Sequence, residues 1–212
     1  PAFRADGICR LLILGGSQGA RILSDVVPQA IATLPLAHRQ RIQVTQQCRP
    51  EDIARVESIY DGADVAADLK GFFEDIPERL AWSHLVVARA GASTVAEISA
   101  FGRPAILVPL GIATDDHQSA NARGLAEAGA AWVMPEGEFT PAAVAKMLQR
   151  LLLHPERLEQ AAKASASQGR PKAASALADV VLKAIGQEAV SGKEAEPVPP
   201  VGDELRFMGG VL

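Results

Sequence analysis

The chain has 212 residues, 48% of them hydrophobic, enough for one substantial domain with a buried core and no disulfide staples. Aromatic residues make up only 4%, and the net charge is −4 with no long basic run, which argues against a nucleic-acid partner. No apolar run approaches the roughly 18 residues of a membrane span, and Cys9 and Cys48 lack the spacing of a metal or redox motif, so they are expected as buried or half-buried thiols of a reducing cytoplasm.

In chain order, Pro1-Ala2-Phe3-Arg4 carries no initiator Met and no signal-peptide pattern, and is expected to be cut from something longer. Short apolar runs at 10–14, 41–46, 63–69, 84–88, 105–109 and 131–134 read as strands. Helical patterns separate them. Ile22, Leu23, Val26, Val27, Ala30, Ile31 and Leu34 recur at helical spacing, with a kink expected at Pro28. Pro50 opens a second helix carrying Ile53, Val56 and Tyr60. A short third covers 77–82. A fourth covers 94–101 and is stopped by Gly102 and Pro104, and a fifth covers 118–128 and ends at Gly129. This alternation predicts an α/β fold, an open parallel sheet with helices on both faces.

Beyond Met134 the pattern is helical only. Thr140 is a good N-cap ahead of Pro141, and Leu148, Leu151 and Leu152 form the apolar face that follows. Further helices fit 154–167 and 171–185. From Gln187 the composition turns to Glu, Gly, Ser and Pro, so 187–212 is expected to be disordered.

Two small-residue turns carry the chemistry. Gly15-Gly16-Ser17-Gln18-Gly19-Ala20 follows the first strand, and Gly91-Ala92-Ser93-Thr94-Val95-Ala96-Glu97 follows the fourth. A helix that starts on such a turn presents free N–H groups and the positive end of its dipole, which suits phosphate. Two of them suggest a diphosphate. Glu97 lies about one helical turn past Ser93 and Thr94, where a carboxylate can accept two hydrogen bonds from a ribose diol. The pair reads as a sugar-nucleotide site.

Each motif also has a plainer reading. The first turn fails as a dinucleotide fingerprint, because Ser17 replaces a glycine and the second strand ends in Gln46-Gln47-Cys48 without an acid. It matches G-x-S-x-G, with Asp115, Asp116, His117 and His154 downstream, but only one strand precedes Ser17, which disfavours a hydrolase elbow. A tight turn explains its glycines but not Ser17-Gln18. In the second turn, Ser93 and Thr94 can cap the helix, and Glu97 can close a capping box with Thr94. In Gly71-Phe72-Phe73-Glu74-Asp75-Ile76, one Phe is expected in the core, and the backbone edge can meet a base. Gln118 and Asn121 share a helix face and pair donors with acceptors as sugar hydroxyls require; the alternative is a polar first turn with His117 exposed. Asp115-Asp116 is adjacent rather than alternating, so no metal or other cofactor is expected.

Together, Gly15 through Arg21, Phe73-Glu74-Asp75, Arg89 through Glu97, and Asp116-His117-Gln118 through Asn121-Ala122 resemble the MurG family, bacterial N-acetylglucosaminyltransferases of peptidoglycan synthesis. The resemblance runs in order over roughly 10–186. It implies a GT-B architecture of two Rossmann-like halves, with this chain the C-terminal, donor-binding half and 1–9 a remnant of the interdomain linker. The implied donor is UDP-N-acetylglucosamine. The implied acceptor is undecaprenyl-diphospho-muramoyl-pentapeptide, reached, like the inner face of the plasma membrane, through the N-terminal half.

Residue by residue, the family pattern gives Phe73 a backbone contact to uracil and Glu97 the ribose hydroxyls. Ser17 and the Ala92-Ser93-Thr94 turn, continued by Val95 and Ala96, would face the diphosphate, and Gln118 and Asn121 the sugar. Many members have Ile at Phe73 and some have Gln at His117. No residue here matches the general base, which the family places in the other half. Two rivals share the pattern: a stand-alone donor-binding subunit of a two-chain transferase, and a UDP-sugar epimerase.

Overall fold

The computed structural model describes residues 2–4, 6–16, 20–110, 117–170 and 172–184. Its strands are β1 (Cys9–Leu14), β2 (Ile42–Gln47), β3 (Ala67–Lys70), β4 (Leu85–Ala88), β5 (Ala105–Leu107) and β6 (Ala131–Val133). They form one parallel sheet in the order β3-β2-β1-β4-β5-β6. The order reverses between β1 and β4, which pair in the register Leu14↔Ala88. In such sheets the crevice at the reversal, beyond the carboxyl ends, is where ligands sit.

The helices are α1 (Arg21–Ala32), α2 (Leu36–Arg39), α3 (Pro50–Gly62), α4 (Ile76–Trp82), α5 (Ala92–Ala100), α6 (His117–Glu127), α7 (Pro141–Leu153), α8 (Pro155–Gln168) and α9 (Ala173–Ala184). The period-two alternation of β1 divides the core. Leu11 and Ile13 pack with Leu23, Val27, Val56 and Leu148, beneath α1, α3 and α7. Leu12 and Leu14 pack with Leu80, Ile98 and Leu125, beneath α4, α5 and α6. Among the described residues no helix is long and apolar enough to cross a membrane.

One local expectation is corrected. The run at 63–69 pairs only from Ala67, because α3 continues to Gly62 and the chain turns at Asp64, whose φ is 56°. The short helix α2 has no sequence signal of its own. Pro28 lies inside α1, which runs unbroken from Arg21 to Ala32. Proline has no N–H, so the Ser24 carbonyl one turn earlier loses its helical donor. Arg55 on α3 supplies a replacement: its Nη1 donates to that carbonyl at 3.4 Å. The same guanidinium reaches Asp25 at 2.6 Å and Asp52 at 2.7 Å and ties α1 to α3.

α8 lies across the end of α5. A Cβ on Gly169 would come within 2.5 Å of the Ser99 carbonyl oxygen, and one on Gly102 within 2.9 Å of the Ala166 Cβ. At the amino edge of the sheet, the buried His84 is locked to β1. The Arg10 backbone N–H donates to its Nδ1 at 3.0 Å, while its own N–H donates to the Arg10 carbonyl at 2.8 Å. Burial and the neighbouring Arg10 guanidinium, with Arg103 adding, push the His84 pKa down to about 3. Both cysteines are buried and unpaired, and burial pushes the Cys9 thiol up to about 12.

Candidate functional site

The two small-residue turns leave neighbouring strands at the reversal of the sheet. After β1 the chain passes Gly15 and Gly16; Gly16 adopts φ 76°, a conformation that only glycine takes without strain. Ser17, with Gln18 and Gly19, lies outside the described residues, as do Asp115 and Asp116. After β4 the chain passes Arg89, Ala90 and Gly91 and enters α5.

α5 begins at Ala92, two residues earlier than its pattern predicts. Its N-cap is Gly91, with no side-chain cap. Ser93 and Thr94 are therefore inside the first turn, and the capping box between Thr94 and Glu97 does not form. The N–H groups of Ala92, Ser93 and Thr94 have no acceptor among the described residues. Ala92, Ser93, Ala96 and Glu97 are exposed, while Thr94 and Val95 are half-buried. The Glu97 carboxylate makes no ion pair or hydrogen bond among the described residues, while its backbone carbonyl accepts from the Phe101 N–H at 3.0 Å. Ile98 and Ser99 form the buried face opposite. Among the described residues a Cβ on Gly91 would meet only the Thr94 hydroxyl, at 3.8 Å, so neither backbone angle nor packing against them demands glycine there.

Polar side chains hold this edge in place. Arg89, only 14% exposed, donates through Nη1 to the Val108 carbonyl (3.2 Å), the Pro109 carbonyl (3.3 Å) and Glu136 Oε2 (3.0 Å). One side chain thus straps the ends of β4, β5 and β6. From α6, Asn121 Nδ2 donates to the Ala90 carbonyl at 3.0 Å, and Gln118 Oε1 accepts from the Leu110 N–H at 3.1 Å. Both residues therefore reach the strand-end loops beside the α5 start. His117 is exposed at the first position of α6.

Phe73 is the core member of its pair and is buried at 2%, whereas Phe72 is 68% exposed. The Arg79 guanidinium lies over the Phe73 ring, 3.8 Å from its centroid. It also donates to Asp68 at 2.6 Å and Asp75 at 2.7 Å. Burial pushes the Asp75 carboxyl up, but the Arg79 hydrogen bond and charge outweigh it and hold the pKa below its usual value. The pairing of Arg89 with Glu136, 47 residues apart, has no sequence signal. The Arg79–Asp75 pair does have one, the i,i+4 spacing across the start of α4.

Fold and site together define a Rossmann-like domain of the kind that makes one half of a GT-B glycosyltransferase. The model of the glycosyltransferase family 28 C-terminal domain matches residues 10–177. A UDP-N-acetylglucosamine–N-acetylmuramyl-(pentapeptide) pyrophosphoryl-undecaprenol N-acetylglucosamine transferase from Paramagnetospirillum magneticum is 55% identical over 184 residues, 87% of this chain and 50% of the relative. The crystal structure of Acinetobacter baumannii MurG superposes with a TM-score of 0.76 at 30% identity, over 86% of this chain and 54% of that one. An S. aureus MnaA–UDP co-structure, at 12% identity and a TM-score of 0.63 over 91% of this chain and 48% of that one, shares the fold. The chain belongs to the glycosyltransferase family 28 C-terminal domain family and is of the MurG type. It spans about half the length of the curated relatives it matches.

Proposed function

We propose that this chain is the donor-binding half of an enzyme that transfers N-acetylglucosamine from UDP-N-acetylglucosamine to undecaprenyl-diphospho-muramoyl-pentapeptide. The observation that carries the reading is the start of α5. Three N–H groups without acceptors among the described residues sit at the positive end of a helix, at the sheet reversal, with a carboxylate one turn further on that has no partner among those residues either. In this reading the diphosphate lies against Ala92, Ser93 and Thr94, with Val95 and Ala96 continuing the turn, and Ser17 is assigned to it as well. Glu97 takes the ribose hydroxyls, the Phe73 backbone takes the uracil edge, and Gln118 and Asn121 face the sugar. Among the described residues nothing in the packing demands glycine at 91, which is consistent with close approach of a ligand.

The reaction is a direct displacement. The acceptor 4-hydroxyl attacks the anomeric carbon with inversion, and UDP departs. Charge developing on the leaving phosphate is met by N–H dipoles already fixed in place, so little reorganisation is needed as it forms. The proton acceptor, the acceptor lipid and the contact with the inner face of the plasma membrane belong to the other half. This chain alone binds donor and does not transfer it.

Calorimetric titration with UDP-N-acetylglucosamine, UDP-glucose, UDP and NAD tests the reading. Selective binding of the uridine nucleotides, with preference for the N-acetyl sugar, is expected. Equal affinity for NAD defeats it. Transfer of labelled sugar to a lipid acceptor by the chain alone defeats the division of labour.

A further inference from the structure

The loop 71–75 between β3 and α4 is short of backbone partners. Among the described residues, the N–H and C=O groups of Phe72, Phe73 and Glu74 make no hydrogen bond. The loop is nevertheless fastened. At its start the Gly71 carbonyl accepts from Gln47 Nε2 at 3.3 Å. Over the rest of its length one side chain holds it. Arg79, 6% exposed, stacks on Phe73 in the middle, pairs with Asp75 at the end, and reaches back to Asp68 on β3.

Stability alone is a weak reason for that arrangement. Burying a guanidinium costs desolvation, and its partners are 32% and 42% exposed, which weakens the return. An apolar side chain of similar volume commonly holds a site as well as a buried ion pair does. The triad supplies direction instead: a planar guanidinium with two fixed carboxylates and an aromatic face admits one loop geometry.

We propose that Arg79 is the positioning residue of the base subsite, holding the unpaired Phe73 backbone groups in the orientation that reads the edge of uracil. This rests on the assignment of Phe73 to the base given above. Uracil presents an N3–H donor beside carbonyl acceptors, matching one backbone C=O and one N–H. Cytosine presents an acceptor at N3 and an amino donor beside it, the reverse pattern. A loop held rigidly in one orientation distinguishes the two, whereas a loop free to turn its peptide groups does not.

The test is R79M, which keeps the stem and removes the fork, with R79K alongside. Affinities of the 212-residue chain for UDP, CDP and inorganic pyrophosphate are measured by calorimetry. R79M is expected to weaken UDP about tenfold and to shrink the UDP-over-CDP preference by a similar factor, while pyrophosphate stays within about twofold. R79K, which retains one charged hydrogen bond but not the stacking plane, falls between. Equal losses for UDP and pyrophosphate, or no loss at all, overturn the proposal. Should the unaltered chain ignore UDP, the donor reading fails separately, and amide exchange decides the role of Arg79. Exchange at Phe72–Glu74 about tenfold faster in R79M, with α1 unchanged, upholds its hold on the loop; unchanged or uniformly faster exchange overturns it.

Discussion

Glu97 is the residue whose role changes most once α5 is placed. The sequence allows it two uses, a capping box with Thr94 or a ligand contact, and the helix start at Ala92 removes the first. Glu97→Ala is therefore expected to leave stability within about 0.5 kcal/mol. The same change should weaken UDP binding roughly 10–150-fold, the loss of about 1.5–3 kcal/mol of charge-assisted hydrogen bonding. Calorimetry and urea unfolding on one preparation check both halves. Arg89 should show the reverse weighting. Its removal strips donors from two carbonyls and leaves Glu136 without that partner, so Arg89→Ala is expected to cost about 1.5–3 kcal/mol of stability. A urea midpoint that does not move would show that the strap is redundant.

Among the elements, the crossing of α8 over α5 makes the sharpest demand on sequence. Gly169→Ala places a methyl against the Ser99 carbonyl, backbone against which no rotamer change helps, and is expected to destabilise by about 1–3 kcal/mol. Gly124, inside α6 with open space around its missing Cβ, is the contrast: Gly124→Ala should stabilise by about 0.5–1 kcal/mol. Thermal melts of the two variants should move in opposite directions. The elements themselves were largely legible. Short apolar runs alternating with helical patterns located all six strands, the third only in its last residues, and Thr140-Pro141 marked the start of α7, where the Thr140 hydroxyl accepts from the Ala143 N–H at 3.3 Å. α5 starts on an uncapped glycine rather than on the Ser and Thr that follow it, and α1 continues through Pro28, with a guanidinium from another helix donating to the carbonyl the proline leaves without a helical donor. The candidate site was legible as a pattern where one motif supplied it, as at 91–97. It was not where distant residues meet: the hold of Arg89 on β5 and Glu136, and the reach of Arg79 to Phe73 and Asp68, depend on pairings that no local pattern encodes, although the i,i+4 spacing does signal Arg79–Asp75.

At the scale of the whole molecule, acid should weaken the fold through His84. Folded, it stays neutral down to about pH 3; unfolded, it takes a proton near its ordinary value of about 6.5. The unfolded chain therefore binds the extra proton between those values. The contribution is fully present above about pH 6.5 and is lost progressively as the pH falls toward 3, with a slope from this residue of at most about 1.4 kcal/mol per pH unit. His84→Gln, which keeps an acceptor for the Arg10 N–H without titrating, should flatten the curve of unfolding free energy against pH between about 6 and 4. An unchanged slope would assign the acid sensitivity to other groups.

All six strands run the same way, so every carboxyl end lies along one edge of the sheet and every amino end along the other. The turns proposed to meet the donor leave the first edge, and the His84–Arg10 lock sits at the second. Loops at the ligand edge can thus lengthen, shorten or change chemistry over generations without disturbing that lock. A chimera that swaps only those loops between donors should inherit the recipient's resistance to unfolding along with the donor specificity of its new loops.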